Sequence, residues 1–171
     1  MTAAEIILAL VTLQRAGELV FAQRNTSRLL ARGGVELAQG HYPLIVAVHA
    51  GWLISLWWYR HDQAINVTAL AAYLALQCLR FWVFWTLGSR WTTRIIIVPG
   101  ERLVSAGPYR FLSHPNYAVV VGEIAVLPLV FYLPWIAAIF TALNAAVLAI
   151  RIRAENRALA ASRQTTMAGT S

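Results

Sequence analysis

The chain has one cysteine, Cys78, and no lysine; its formal charge of +7 rests on fourteen arginines set against seven acids. A lone cysteine excludes an intramolecular disulfide framework and a cysteine metal cluster, and inside an apolar segment Cys78 reads as a small core residue. No basic run is interleaved with stacking aromatics, so the arginine excess does not point to nucleic acid. The chain lacks the alternating ten-residue strands of a membrane β-barrel, and no internal repeat is evident. The stretch MTAAEIILALVTLQRAGELV lacks a basic leader and a clear small-residue cleavage site, and it carries Glu5. It therefore reads as a retained span rather than a signal peptide.

What is present is apolar: 59% of the residues are hydrophobic, and the seven tryptophans suit the interface between lipid and water. Runs of spanning length fall at about residues 4–22, 42–59 and 67–87. A longer run from 117 to 150 is broken by Pro134, which divides it into spans at about 117–132 and 134–150. Lipid offers the backbone no hydrogen-bond partners, so each span must be helical. The predicted fold is an all-α polytopic membrane protein with five transmembrane helices, forming one domain over residues 1–162 with a disordered tail at 163–171.

Five spans place the termini on opposite sides, and arginine decides which is which. Arg24, Arg28 and Arg32 follow span 1; Arg90, Arg94, Arg102 and Arg110 follow span 3; Arg151, Arg153, Arg157 and Arg163 follow span 5. All of these fall on one face, whereas Arg60 alone falls on the other. The rule that basic loops stay inside puts the amino terminus outside and the carboxyl terminus in the cytoplasm, as expected for an inner-membrane protein. The connector at 88–116 contains RIIIV, a Pro99-Gly100 turn and RLVS, which predicts a small cytoplasmic β-hairpin between helices 3 and 4.

Ionisable groups inside spans are costly and mark function by default. Arg15 and Glu18, three apart, can neutralise each other on one helical face. Arg80 has no acid nearby on its own helix; it can pair with Glu18 or Glu123, or hold an anionic substrate. Glu123 stands two turns after Asn116 and is expected to face whatever that end of the helix faces. Arg80 and Glu123 are the candidate catalytic residues. His49, in span 2, reads first as a hydrogen-bonded core or lumen group.

At the mouth of span 4, Pro115 suits a first helical turn, and His114 and Asn116 stand beside free amides at the positive end of the helix dipole. The matching polar cluster is RIRAENRAL, residues 151–159, where span 5 emerges on the same face. Together these two ends can roof a membrane cavity and hold a charged cofactor. Two solvated helix ends remain the plainer alternative.

The elements GPYRFLSHPNY and RIRAENRAL, in that order and flanking a helical hairpin, resemble the isoprenylcysteine carboxyl methyltransferase family of integral membrane methyltransferases. The resemblance covers residues 91–159. The whole chain, with RNTSRLLARGGVE, HYP and RWTTRIIIVPGERL, looks closer to a bacterial branch associated with type III polyketide synthases and with O-methylation of alkylpyrones or alkylresorcinols. It implies S-adenosylmethionine bound at the cytoplasmic roof by His114, Pro115, Tyr117 and Glu155, with Arg153, Asn156 and Leu159 completing the pocket. It implies no metal. Ser113, Val119 and the Glu155-Asn156 pair depart from the family's basic residue, glycine and paired glutamates. The implied partners are a lipophilic substrate from the bilayer, membrane lipids and a type III polyketide synthase. Carboxyl methylation of a prenylcysteine or fatty acid, methylation of a phospholipid amine, and a non-catalytic membrane adaptor stand as alternatives.

Overall fold

In the computed structural model, residues 2–37, 40, 42–60, 64–101 and 104–168 are described, with 154–168 as helical backbone alone. Five helices form the body: α1 (Ala3–Ala31), α2 (Tyr42–Tyr59), α3 (Val67–Leu87), α4 (Pro115–Val130) and α5 (Pro134–Ala168). Two three-residue strands, β1 (Val35–Leu37) and β2 (Ile95–Ile97), lie in the connections. Two helical stretches, Val67–Arg90 and Pro134–Arg153, are long and apolar enough to cross a membrane, and α4 is a shorter apolar helix. Arg15 and Glu18 interrupt the apolar character of α1, and His49 with several tryptophans and tyrosines dilutes that of α2. The protein is thus a mostly helical, membrane-associated chain.

Local chemistry sets the helix ends. Thr2 and Glu5 form a reciprocal capping box at the start of α1, and Asn66 caps α3 through the Ala69 amide. α4 closes through paired bonds from Leu133 N to Pro128 O (2.9 Å) and from Tyr132 N to Leu129 O (3.2 Å). This is the Schellman pattern, and it puts Tyr132 in the left-handed region at φ 56°. Pro134 then opens α5, so the proline break does produce the tight helical hairpin. α4 packs closely on α3 because Gly122 lacks a side chain: a Cβ there would stand 2.8 Å from Leu76 Cδ2. Small residues permit such approach between apolar helices.

Ile95–Ile97 is a strand, but its partner is not RLVS. It pairs antiparallel with Val35–Leu37 in the register Val35↔Ile97, Glu36↔Ile96, Leu37↔Ile95. Arg102 and Leu103 lie outside the described residues, and Val104 and Ser105 are not strand. Glu101 is held by Arg32 and Arg90, which turns the chain aside after Gly100 instead of back along β2. Two further expectations change. Cys78 faces outward, because the interior side of α3 is taken by Tyr73, Gln77, Arg80 and Val83. The backbone of α5 runs on as helix through 163–168, part of the segment assigned to a disordered tail, while 169–171 lie outside the described residues.

Two apolar clusters hold the helices. The larger contains Leu8, Val11, Trp52, Leu56, Tyr73, Ile124, Leu127 and Ile136. The smaller contains Ala22, Val83 and Trp91, with Phe84 stacked on Trp91 at 4.1 Å. Along α1 and α3 the residues between these clusters are Arg15, Glu18, Gln77 and Arg80, so a polar layer divides the core.

Candidate active site

The polar layer is a closed network of two arginines and two glutamates from three helices. Arg80 donates to both Glu18 oxygens, from Nε at 2.7 Å and from Nη2 at 2.6 Å, and its Nη1 reaches Glu123 Oε2 at 2.6 Å. Arg15 binds Glu18 at 2.8 Å and Glu123 at 2.9 Å. Gln77 Nε2 donates to Glu123 Oε1 at 2.7 Å, and Gln14 Nε2 donates to Glu18 Oε1 at 3.0 Å and Gln77 Oε1 at 2.8 Å. Two positive and two negative charges cancel. Arg80 is 5% exposed and Glu123 2%, so the network is desolvated as well as neutral. The sequence offered Arg80 a choice of Glu18 or Glu123; the structure gives it both.

Above this layer lies a cavity of about 380 Å³, within the usual range for small-molecule sites. Arg15, Glu18 and Arg80 form its floor, α2 contributes Tyr42, Ile45, Val46, His49, Ala50 and Leu53, and α5 contributes Asn144, Val147, Leu148 and Arg151. Trp91, Thr92 and Thr93 enter from the connector, and Asn116, Tyr117 and Val120 from α4. Glu123 does not line it. The expectation that Glu123 faces what Asn116 faces fails, because Arg15 and Arg80 cover it.

The roof is tied together by Arg151, which is 9% exposed. Its Nε donates to Tyr117 Oη at 2.9 Å and its Nη1 to the Thr93 carbonyl at 2.7 Å, so one guanidinium joins α5, the connector and α4. Tyr117 stacks on His114 with ring centroids 5.0 Å apart, and Tyr42 Oη lies 3.3 Å from Thr93 Oγ1. Pro115 opens α4 as expected and is buried. Gly107, which begins the GPYR turn leading to His114, sits at φ 57°, and a Cβ there would overlap Thr86 Oγ1. Gly107→Ala is therefore expected to lower the thermal midpoint in detergent and to weaken any ligand held at the roof.

Of the residues expected at the cofactor site, His114, Pro115, Asn116 and Tyr117 come together at the roof. Arg153 is exposed and does not line the cavity; Arg151, two positions earlier, does. The side chains of Glu155, Asn156 and Leu159 lie outside the described residues. Sequence patterns do not single out Tyr42, Trp91 or Thr93, which line the cavity together with Asn144. For Asn144 a signal existed, since 144, 147, 148 and 151 follow helical spacing on one face of α5.

Several lining residues carry buried polar atoms that bond to no other group among the described residues: Arg15 Nε, Trp52 Nε1, Trp91 Nε1, Asn116 Oδ1 and Asn144 Nδ2. Buried polar groups are nearly always bonded. These atoms belong to residues that line one cavity, and their chemistry suits a polar ligand with both acceptor and donor groups, as S-adenosylmethionine is.

Residues 68–161 match the model of the isoprenylcysteine carboxyl methyltransferase (ICMT) family, and the chain belongs to that family of membrane methyltransferases. Among its relatives is the uncharacterised protein YpbQ of Bacillus subtilis strain 168, 35% identical over 167 residues that cover 90% of this chain and 95% of that protein. An uncharacterised protein of Haemophilus influenzae is 22% identical over 160 residues, covering 90% of this chain and 93% of its own. No solved structure matches the chain. Methyltransferases of the family generally use S-adenosylmethionine.

Proposed function

We propose that the protein is an S-adenosylmethionine-dependent O-methyltransferase of the bacterial inner membrane that acts on a long-chain hydroxylated, lipid-like acceptor such as an alkylpyrone or alkylresorcinol. The observation that carries this reading is the adjacency of two spaces. The cavity, largely apolar with a few polar groups, shares Thr12, Ala50 and Leu53 with an apolar groove of about 460 Å³ between α1 and α2, which is completed by Ile54, Trp57 and Trp58. An acceptor's tail fits the groove while its head meets the few polar groups of the cavity, and a lipid-like acceptor accounts for building the enzyme in a membrane.

S-adenosylmethionine supplies a methyl group on a positively charged sulfur. The protein's part is to bind and orient, because a nucleophile already aligned with that methyl needs little further help. Asn116 and the Trp52 and Trp91 indoles would hold the cofactor's polar groups, and Arg151 keeps the Tyr117 ring in place. The neutral layer of Arg15, Glu18, Arg80 and Glu123 serves as a rigid floor.

Five passes with the amino terminus outside remain the proposed topology. It is supported by the grouping of helix ends: Glu5 meets Arg60, and Asn66 N bonds Val130 O, at the end away from the roof. A type III polyketide synthase as the upstream enzyme belongs to the same proposal. Calorimetry of the purified protein should show saturable S-adenosylmethionine binding, weakened about tenfold in Asn116→Ala, which removes one buried hydrogen-bond acceptor. Labelled methyl from the cofactor should enter an organic-soluble product when lipid extract is added. A protein that binds no S-adenosylmethionine does not have this function.

A further inference from the structure

We infer that His49 is the general base of the reaction: its Nε2 takes the proton of the acceptor hydroxyl, and the natural acceptor is a neutral, phenol-like hydroxyl rather than a carboxylate. This rests on the methyltransferase reading above and adds the group that activates the nucleophile.

The argument begins with a hydrogen bond. His49 Nδ1 lies 2.9 Å from the Ile45 carbonyl oxygen. A carbonyl can only accept, so Nδ1 carries the hydrogen, and in the neutral ring the lone pair is on Nε2. His49 lines the cavity, and among the described residues nothing bonds Nε2. The ring is held in the tautomer a base requires, with its accepting nitrogen free.

The rival bases are occupied. Glu123 takes hydrogen bonds from Arg15, Arg80 and Gln77 and does not line the cavity. Glu18 lines it, but its oxygens are held by Arg15, Arg80 and Gln14. The ionisable side chains facing His49 across the cavity are Arg15 and Glu18 of α1, Arg80 of α3, Tyr117 of α4 and Arg151 of α5, with Tyr42 on its own helix. Arg15 and Arg80, on the cavity floor, favour the phenolate oxygen that forms as the proton leaves.

Position supports the same assignment. Tyr42, Ile45, Val46, His49, Ala50 and Leu53 form one stripe of α2. His49 stands two turns, about 10 Å, from Tyr42 at the roof and one turn, about 6 Å, from Leu53 where the groove begins. An acceptor whose tail fills the groove brings its head to this level. As the O–H proton passes to Nε2, the acceptor oxygen forms a bond to the donor methyl carbon. The carbon–sulfur bond breaks with its electron pair left on sulfur, giving a neutral methyl ether and a thioether. The imidazolium then releases its proton to solvent. A carboxylate acceptor, already ionised, has no use for such a base.

The test compares wild type with His49→Gln, and a second variant, His49→Ala, guards against misfolding of the first. Toward a long-chain alkylphenol, kcat is expected to fall about 10²–10⁴-fold, with the S-adenosylmethionine Kd unchanged. The lost rate is expected to return as pH rises toward the phenol's own pKa of about 10. A loss that does not recover with pH, or no loss, overturns the assignment. A second readout needs no cofactor: diethyl pyrocarbonate should modify His49 in cofactor-free protein, as read by mass spectrometry. The alkylphenol should protect it, and an alkylbenzene of the same tail should not. Absence of selective protection, with S-adenosylmethionine binding intact, overturns the role of His49 alone; a wild type that binds no S-adenosylmethionine overturns the methyltransferase reading beneath it.

Discussion

Glu123→Gln should destabilise the protein by about 3–5 kcal/mol, the usual cost of removing one partner from a buried ion pair. For a chain of this length that corresponds to a fall of about 6–20 °C in the thermal midpoint. The substitution leaves Arg15 and Arg80 sharing Glu18 alone, one net positive charge beside a largely apolar core in which Arg80 and position 123 are buried. Thermal unfolding in detergent micelles reads the effect directly. Replacing all four charges, in Arg15→Met, Glu18→Leu, Arg80→Met and Glu123→Leu together, should restore most of the midpoint, since an apolar layer has no desolvation penalty to offset. A Glu123→Gln protein that melts like wild type but turns over poorly would instead return Glu123 to the role of catalytic base.

Arg151→Met is expected to raise the Kd for S-adenosylmethionine at least tenfold, whereas Arg153→Met should change it less than twofold. The two arginines are close in sequence but differ in what they touch. Arg151 makes two charge-assisted bonds, to Tyr117 and to the Thr93 carbonyl, each worth about 1.5–3 kcal/mol. Losing them unties α5 from Tyr117 and from the Thr93 carbonyl. Arg153 is exposed and supports neither. Calorimetric titration of both variants, with circular dichroism to confirm the helices, decides the matter; equal effects would detach the cofactor from the Arg151 roof.

Helix order was legible because the sequence signals are local: apolar run lengths, the Pro134 break, and Pro115 before a helical turn. The Arg15–Glu18 pair was legible for the same reason, being three residues apart on one helix. The partners of Arg80 were not, because they depend on how α1, α3 and α4 rotate against each other, and spacing within α3 carries no information about that. The pairing of β1 with β2 escaped for a related reason. VEL is too short to show alternation, and its partner is 62 positions away at Val35↔Ile97. Arg153 was preferred to Arg151 by resemblance alone. Helix phase favours the other choice, because Arg151 falls on the face of Asn144 and Arg153 is rotated about 200° from it.

The bond from Arg151 to the Thr93 carbonyl also bears on how the protein is made. It spans 58 residues and uses α5, which emerges after α4, so a nascent chain has its floor layer once α4 has joined α1 and α3, while its roof is still open. Until residue 151 leaves the ribosome, the Tyr117 hydroxyl and the Thr93 carbonyl lack this partner. Competence to hold a ligand thus arrives only with α5, and truncations before residue 151 should insert into the membrane without binding anything.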